Sequence, residues 1–308
     1  MQSPSAPETP RAPSEHAAFA FGRDSAPIYY HVSGRPDGRA VVLTDGVGCD
    51  GYIWKYLTPA LEAEHRVIHW HYRGHGLSPP PRSPESIEIG DFAHDLRAVL
   101  DAATGDPHSE VVLIGHSLGV QVSLEAYRIM QKRVRGFVMV CGSSGTPLRT
   151  FKGSNSLELL LPAITQGLGL VPGLVRGLWR NLMATEISYQ LATRLELNGE
   201  LIRREDFFPY LEHMADRVDP QLFFAFVASA ARHSAADLLD GITVPTLIVA
   251  GDRDGFTPSH LSETMAARIR GSELMMVAGG SHTAPIERPT EVTNRIVDFL
   301  RTRIDSRG

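Results

Sequence analysis

Short apolar runs that alternate with amphipathic helical segments most limit how this chain can fold. The runs "VVLI" and "FVMV" contain no polar residue. Between such runs lie segments with helical spacing, for example "IGDFAHDLRAVLDAAT", which places Phe92, Leu96, Val99 and Leu100 on one face. Strands without polar residues indicate a sheet buried on both faces, and parallel strands require crossover connections. The sequence therefore predicts an α/β fold with a mostly parallel central sheet flanked by helices.

The alternation stops between residues 147 and 240, where helices and loops are predicted but no strand is obvious. It resumes with "TLIVAGDRDGFTP", so the simplest organisation is one sheet domain with a helical insertion. We predict a core of residues 17–146 and 241–308 and a lid of residues 147–240, because such insertions usually cover the site at the strand ends. Residues 1–16 contain four prolines among small polar residues and are predicted to be a flexible lead.

Charge and cysteine content argue against several kinds of protein. The 30 Lys and Arg residues against 35 Asp and Glu residues give a net charge of −5 without a basic cluster, which argues against nucleic acid as a partner. The two cysteines are far apart, so no disulfide framework is expected and a reducing compartment fits. The N-terminus does not resemble a secretory signal, and we expect a cytoplasmic protein.

The stretch "VVLIGHSLG" ends a predicted strand in a serine that lies between two glycines. A serine at the tip of a strand-to-helix turn projects out of the sheet, and Gly115 and Gly119 leave room for a strained turn. The backbone N–H of the next residue lies at a helix N-terminus, where it can stabilise an oxyanion. Ser117 is therefore a candidate nucleophile. The alternative is an ordinary serine N-cap of the following helix.

A nucleophilic serine needs a histidine base and a carboxylate that orients the base. Among 13 histidines, His282 in "VAGGSHTAP" follows a predicted strand at the same edge of the sheet as Ser117. The carboxylate is expected in "AGDRDGFTP", where Asp254 lies far enough along the loop to reach His282 and Asp252 is the alternative. His116, next to the serine, is interpreted as structural.

His69, His71 and His75 have a spacing that can indicate a metal site. However, His69 and His71 would point to the same face of a strand in a packed region, and no carboxylate accompanies the three histidines in the sequence. We therefore predict no metal site. No nucleotide-binding glycine motif is visible, and no cofactor is expected.

Four motifs, "RGHGLS", "GHSLG", "GDRDGFTP" and "GGSHTAPIERP", resemble those of the α/β-hydrolase superfamily in sequence, order and spacing. The resemblance extends over about residues 18–303 and includes the chain order Ser117, Asp254, His282. It implies the α/β-hydrolase fold, with a helical lid inserted between the sixth and seventh strands.

The resemblance also implies an oxyanion hole formed by the backbone N–H groups of Val47 and Leu118, with Gly46 as the turn glycine. The matching stretch is "TDGVGCDGYIW", in which Asp45 stands where the superfamily usually has histidine. We expect Asp45 to hold the loop as an Asx turn. If its carboxylate faced the oxyanion hole instead, it would oppose the negative charge that develops there.

The most apolar part of the insertion is "LELLLPAITQGLGLVPGLVRGLW". Prolines, glycines and Glu158 interrupt it, so lid helices that line an apolar pocket fit better than a membrane span. Arg176 and Arg180 near its end are compatible with transient contact between the lid and a lipid surface.

These features predict a serine hydrolase that cleaves carboxylic esters with hydrophobic acyl or alcohol groups through an acyl-enzyme intermediate. Acyl transfer, perhydrolysis of the haloperoxidase type and hydrolysis of carbon–carbon bonds use the same triad and are alternatives. A non-catalytic ligand receptor is a further alternative, which an intact triad disfavours. The expected partner is a small hydrophobic ester, and the sequence predicts no particular oligomeric state.

Overall fold

A computed structural model describes residues 17–81, 87–146, 161, 167–168, 170–195 and 197–307, so the predicted lead of residues 1–16 lies outside the described residues. The strands are β1 (Ala17–Phe21), β2 (Pro27–Gly34), β3 (Ala40–Thr44), β4 (Arg66–Trp70), β5 (Val111–His116), β6 (Val134–Val140), β7 (Thr246–Gly251) and β8 (Glu273–Val277). They form one sheet in the order β1-β2-β4-β3-β5-β6-β7-β8. The pairs β1–β2 and β2–β4 are antiparallel and the others parallel, which confirms the predicted mostly parallel sheet.

The helices follow the strands in the alternation that the sequence predicts. The α-helices of the described residues are α1 (Leu57–Glu62), α2 (Ile89–Thr104), α3 (Leu118–Met130), α4 (Pro172–Met183), α5 (Glu186–Leu195), α6 (Arg204–Arg217), α7 (Pro220–Arg232), α8 (Ser259–Arg268), α9 (Ala284–Glu287) and α10 (Pro289–Phe299). Short 3₁₀ turns cover Tyr52–Trp54, Gln131–Arg133, Ala236–Gly241 and Asp305–Arg307, and a π-helical turn covers Leu300–Ile304.

The sheet separates two apolar cores, because successive strand residues point to opposite faces. Val42 and Leu113 enter the core that α2 and α3 cover, whereas Val41 and Val112 enter the core that α1 and α10 cover. All four side chains are fully buried. Burial on both faces explains the continuous apolar runs in these strands.

Helices α4 to α7 lie between β6 and β7 in the chain. The predicted insertion therefore contains helices, although several of its residues, including most of residues 147–169, lie outside the described part. Within the described ranges, no helix is long and apolar enough to cross a membrane.

The backbone approaches itself closely where β5 turns into α3. A Cβ atom at Gly119 would lie 2.2 Å from the carbonyl oxygen of Thr44, and one at Gly115 would lie 2.4 Å from the carbonyl oxygen of Gly119. Both distances are far below van der Waals contact, so only glycine fits without a shift of the backbone. The two glycines thus allow α3 to begin directly against the end of β3.

This close approach makes Gly119→Ala destabilising. We expect the free energy of unfolding in urea to fall by about 1–3 kcal/mol, the usual cost of overpacking. Gly90→Ala in α2 is the matched control, because nothing lies within 4 Å of the added Cβ atom. That control should be at least as stable as the original protein, and equal stability of the two variants would contradict the steric requirement.

Candidate active site

Ser117 lies at the junction of β5 and α3 in a conformation that is rare for a residue with a side chain. Its φ is 53° and its ψ is −116°. The Ser117 N–H donates to the carbonyl oxygen of Val140 at 3.0 Å, which anchors the turn to the neighbouring strand β6. Strained backbone of this kind occurs at functional sites when the surrounding structure enforces it. The hydroxyl is consequently presented at the carboxyl end of the sheet.

Three side chains from distant parts of the chain meet at this edge. His282 Nε2 lies 2.9 Å from Ser117 Oγ, and His282 Nδ1 lies 2.9 Å from Asp254 Oδ2. Asp254 rather than Asp252 is therefore the acid that contacts the imidazole. The structure thus joins hydroxyl, imidazole and carboxylate in one hydrogen-bonded chain, the arrangement that activates a serine.

Asp254 is buried but well supplied with donors. Its Oδ1 accepts the N–H groups of Phe256 at 2.9 Å and Thr257 at 2.8 Å, and its Oδ2 accepts the Thr257 hydroxyl at 2.8 Å. Burial raises the pKa of this carboxyl, but the neighbouring His282 and the hydrogen bonds outweigh burial and lower the pKa below its usual value. Asp254 therefore stays ionised and holds the His282 ring in one orientation.

His116 supports the backbone of the candidate base. Its Nε2–H donates to the carbonyl oxygen of His282 at 2.9 Å, and the two rings lie 4.9 Å apart. Burial, together with the nearby His282, lowers the pKa of His116 to about 3, so its ring is neutral at ordinary pH. The sequence analysis interpreted His116 as structural but did not identify this contact, because no local pattern links residues that are 166 positions apart.

Glu287 is a buried acid that the sequence analysis did not single out. It accepts the N–H and the hydroxyl of Ser281, each at 2.6 Å, and the N–H of Asn198 at 2.9 Å. Asn198 also donates from its side chain to the carbonyl oxygen of Gly279 at 2.8 Å. These bonds join the loop that carries His282 to the helical insertion. The only signal in the sequence is an acid five residues after His282.

Val47 and Leu118, the predicted oxyanion donors, both line the cavity above Ser117. Among the described residues, neither of their N–H groups donates a hydrogen bond, so both are available to a ligand. A Cβ atom at Gly46 would lie 2.7 Å from His116 Nδ1, which explains the glycine in this turn.

The Asx turn predicted for Asp45 is wrong. An Asx turn bonds a backbone group two residues further on, whereas Asp45 Oδ2 accepts the N–H of Gly51, six residues on, at 2.7 Å. The same oxygen lies 2.9 Å from His69 Nε2. Asp45 does not line the cavity above Ser117.

No carboxylate lies among the three clustered histidines in the sequence, but the fold brings two carboxylates to them. His69 pairs with Asp45, and His71 Nε2 lies 2.7 Å from Asp50 Oδ1. Both acids come from the loop after β3, which only the fold brings to β4. His75 accepts the N–H of Gly48 at 3.1 Å. Within the described part of the chain, no group of His, Cys, Asp or Glu side chains is arranged to hold a metal ion.

The cavity above Ser117 has a volume of about 270 Å³. Its described lining is mostly apolar and aromatic, with residues from the core and from the insertion, among them Val47, Ile53, Leu197, Phe207, Phe223 and Val227. No aspartate, glutamate, lysine or arginine belongs to that lining, and only His116 and His282 carry ionisable nitrogen. The volume suits a small molecule, and the lining suits an uncharged one.

The chain is similar to known proteins over most of its length. The chain is 28% identical over 294 residues to the "Putative carbamate hydrolase RutD" of Variovorax paradoxus, with 92% of this chain and 98% of that protein covered. It is 25% identical to a pimeloyl-[acyl-carrier protein] methyl ester esterase of Neisseria meningitidis, with 88% and 80% covered.

Solved structures share the fold. A thermophilic esterase from Thermogutta terrifontis matches with a TM-score of 0.73 at 22% identity, with 94% of this chain and 99% of that chain covered. The enol-lactonase from Burkholderia xenovorans LB400 matches with a TM-score of 0.73 at 18% identity, with 92% and 99% covered. The model of the alpha/beta hydrolase family matches residues 41–295, which is most of the chain. The chain belongs to the alpha/beta hydrolase family.

Proposed function

We propose that this hydrolase is a serine hydrolase that cleaves uncharged carboxylic esters with hydrophobic acyl or alcohol groups. The observation that carries the proposal is the hydrogen-bonded chain from Ser117 through His282 to Asp254 at the base of an apolar cavity. A hydroxyl that hydrogen-bonds an imidazole, which is itself held by an ionised carboxylate, is equipped for nucleophilic attack.

Each group has a defined task in the proposed reaction. His282 Nε2 removes the Ser117 proton while Oγ attacks the carbonyl carbon, and Asp254 stabilises the imidazolium that forms. The N–H groups of Val47 and Leu118 bind the negative oxygen of the tetrahedral intermediate. The imidazolium then protonates the leaving alcohol. Water, activated by His282, releases the acyl group and restores the hydroxyl.

The cavity lining supports an uncharged substrate. An ionised group buried there would lose its hydration without gaining an opposite charge among the described lining residues. Each methylene that leaves water for this lining contributes about 0.8 kcal/mol. Binding energy for an acyl or alcohol chain is therefore available from burial alone, which favours hydrophobic esters over acetate.

Carbamates are the second candidate substrate class, favoured by the 28% identity to the RutD protein of Variovorax paradoxus. A carbamate presents the same carbonyl carbon to Ser117, with nitrogen in place of the acyl carbon. Acyl transfer, perhydrolysis and carbon–carbon hydrolysis are alternatives that use the same three residues. A non-catalytic receptor would not require the strained serine turn.

The proposal predicts that Ser117→Ala abolishes turnover of p-nitrophenyl butyrate. We expect kcat to fall by several orders of magnitude. The variant should retain an acceleration of about 10³–10⁴-fold over the reaction in water. The original protein should also be labelled by a fluorophosphonate probe, and the variant should not. Ser259→Ala, at the start of α8, is the matched control and should retain full activity and labelling. Unchanged turnover in Ser117→Ala would remove this serine from the mechanism.

The cavity predicts a preference for longer chains that depends on its volume. The kcat/KM for p-nitrophenyl octanoate should exceed that for the acetate by about tenfold or more. The octanoyl chain is about six methylenes longer, and burial of only two of them would already be worth that factor. Ala192→Phe fills the cavity from α5 and should reduce the octanoate value selectively. Leu191→Phe, at an exposed neighbouring position, should change neither value. Equal turnover of the acetate and octanoate esters would contradict the hydrophobic pocket. A phenyl carbamate in the same panel tests whether the enzyme cleaves carbamates, the second candidate substrate class.

We also propose that the outer face of α4 and α5 contacts anionic lipid surfaces. Its apolar side chains are between 53% and 80% exposed: Leu174, Leu178, Leu182, Ile187 and Leu191. The two helices contain three arginines and one glutamate, although the chain as a whole has a net charge of −5. Arg176 and Arg180 pair with Asp219 and Asp216 but stay about 70% exposed. An apolar helix face flanked by arginine is typical of segments that lie in the membrane interface.

The opposite side of α4 reaches the cavity wall. Trp179 Nε1 donates to the carbonyl oxygen of Met214 at 2.6 Å, and its ring lies 5.5 Å from the ring of Phe223, which lines the cavity. A lipid surface held by the outer leucines would therefore lie one helix away from the proposed substrate pocket. This arrangement suits hydrophobic esters that partition into lipid.

Vesicle flotation tests this contact. The original protein should float with vesicles of phosphatidylcholine and phosphatidylglycerol. Changing Leu174, Leu178 and Leu182 together to Gln should lower binding by at least about tenfold, because burial of each leucine side chain in lipid contributes roughly 2 kcal/mol. Phe21→Gln removes an exposed apolar residue on β1 and is the control. If the leucine face instead joins two copies of the chain, size-exclusion chromatography will show a dimer that the triple variant abolishes, and the lipid proposal fails.

A further inference from the structure

The loop of residues 45–54, between β3 and α1, separates two cavities and carries one of the two proposed oxyanion donors. One side of the loop faces the cavity above Ser117, which Gly46, Val47 and Ile53 line. The other side faces a second cavity of about 380 Å³, which Asp50, Gly51 and Trp54 line. The Val47 N–H can meet an oxyanion only if this thin partition is held in place.

A single carboxylate oxygen closes the loop and attaches it to the sheet. Asp45 Oδ2 accepts the N–H of Gly51 at 2.7 Å, which brings the two ends of the segment that contains Val47 together. The same oxygen is hydrogen-bonded to Nε2 of His69 at 2.9 Å, and His69 belongs to β4. Asp45 and His69 are only 4% and 5% exposed, so little of either side chain is open to solvent.

Further contacts, besides the pairing of Asp50 with His71, hold the same loop but do not close it. The Tyr72 hydroxyl donates to the carbonyl oxygen of Asp45 at 2.6 Å, and His75 accepts the N–H of Gly48 at 3.1 Å. Each attaches one point of the loop to the segment after β4. Among the described contacts, the carboxylate of Asp45 is the group that joins both ends of the loop.

Pairing with His69 also reduces the difficulty that an acid near an oxyanion hole raises. Burial lowers the pKa of His69, but the charge and hydrogen bond of Asp45, together with the charge of Asp50, outweigh burial and raise it. The imidazolium form of His69 is therefore more stable than that of an ordinary histidine. A paired carboxylate repels a developing oxyanion much less than a bare one would.

On the basis of the proposed function, we propose that Asp45 and His69 act as a positioning pair, which holds the Val47 N–H where the substrate's oxyanion forms beside Ser117. Neither residue lines the cavity above Ser117, so neither touches the substrate. The pair acts on the transition state, because the oxyanion exists only there, and much less on ground-state binding. Its loss should therefore appear in kcat and hardly in KM.

The test compares Asp45→Ala with Asp45→Asn on p-nitrophenyl butyrate, with kcat expressed per active site titrated by burst kinetics. Asp45→Ala should lower kcat by about 10²–10³-fold, as loss of an oxyanion donor does, with KM changed less than about threefold. Asp45→Asn keeps an oxygen for the Gly51 N–H and should recover kcat to within about tenfold of the original. His69→Gln, which retains a donor toward Asp45, provides a second route if Asp45→Ala does not fold, and it should lower kcat less than His69→Ala.

A histidine–aspartate pair outside the site, with a buried histidine and a partly exposed aspartate, supplies the control. His65 Nε2 lies 3.1 Å from Asp305 Oδ2, before the start of β4 and away from the loop. Asp305→Ala, which also loses a bond to Arg39, should lower the melting temperature but leave kcat per titrated site unchanged. The positioning role would be overturned if Asp45→Ala kept the kcat per titrated site of the original protein. It would also be overturned if Asp305→Ala lost as much kcat as Asp45→Ala.

The outcomes also separate this proposal from the proposed function. If the original protein turns over no ester, or if Ser117→Ala stays active, the serine mechanism itself fails. If the original protein is active, Ser117→Ala is inactive and Asp45→Ala retains its kcat, only the positioning role of Asp45 and His69 fails.

Discussion

Parallel strands end at one edge of a sheet, and every contact at the candidate site depends on that geometry. The loops after β3, β5, β7 and β8 emerge together because crossover helices return the chain to the opposite edge each time. Ser117 and His282 are 165 residues apart in the chain and 2.9 Å apart in space. The backbone hydrogen bonds of the sheet therefore determine where the side chains can meet, and the apolar cores on both faces keep the sheet rigid.

Around this edge, buried acids hold the loops that carry the reacting groups. Asp254 and Glu287 each accept hydrogen bonds from two backbone N–H groups and a hydroxyl. Asp45 accepts one hydrogen bond from a backbone N–H and one from an imidazole. Each carboxylate is costly to bury alone and becomes favourable only when several donors surround it. The consequence is a set of loops whose positions tolerate little variation, as a transition-state site requires.

The insertion is tied to the same network. Asn198 joins Glu287 and the loop before His282, and residues of α5, α6 and α7 line the cavity with the loop after β3. Short hydrogen bonds therefore connect the insertion to the loop that carries His282. This connection gives a physical reason for treating pocket shape and reactivity of Ser117 as coupled properties.

Local patterns were sufficient for the strands, for α2 and for the tight turn at Ser117. The apolar runs and the 3.6-residue spacing identified the strands and α2, whose four predicted inward residues are fully buried. The glycines around Ser117 indicated a tight turn, since a missing Cβ atom is a local requirement. Asp45 holds the loop through a backbone N–H as expected, but the Asx turn was wrong, because no local rule selects the N–H of Gly51 or the imidazole of His69 on another strand.

The sequence alone thus determined the alternation of strands and helices and the tight turn at Ser117, because these follow from short-range sterics and hydrophobic periodicity. Only the tertiary structure decided that Asp254 rather than Asp252 reaches the imidazole, that His116 supports the backbone of His282, and that Asp45 pairs with His69. Such contacts depend on where separate strands end relative to one another. Strand order and register set those positions, and they arise from the packing of the whole sheet.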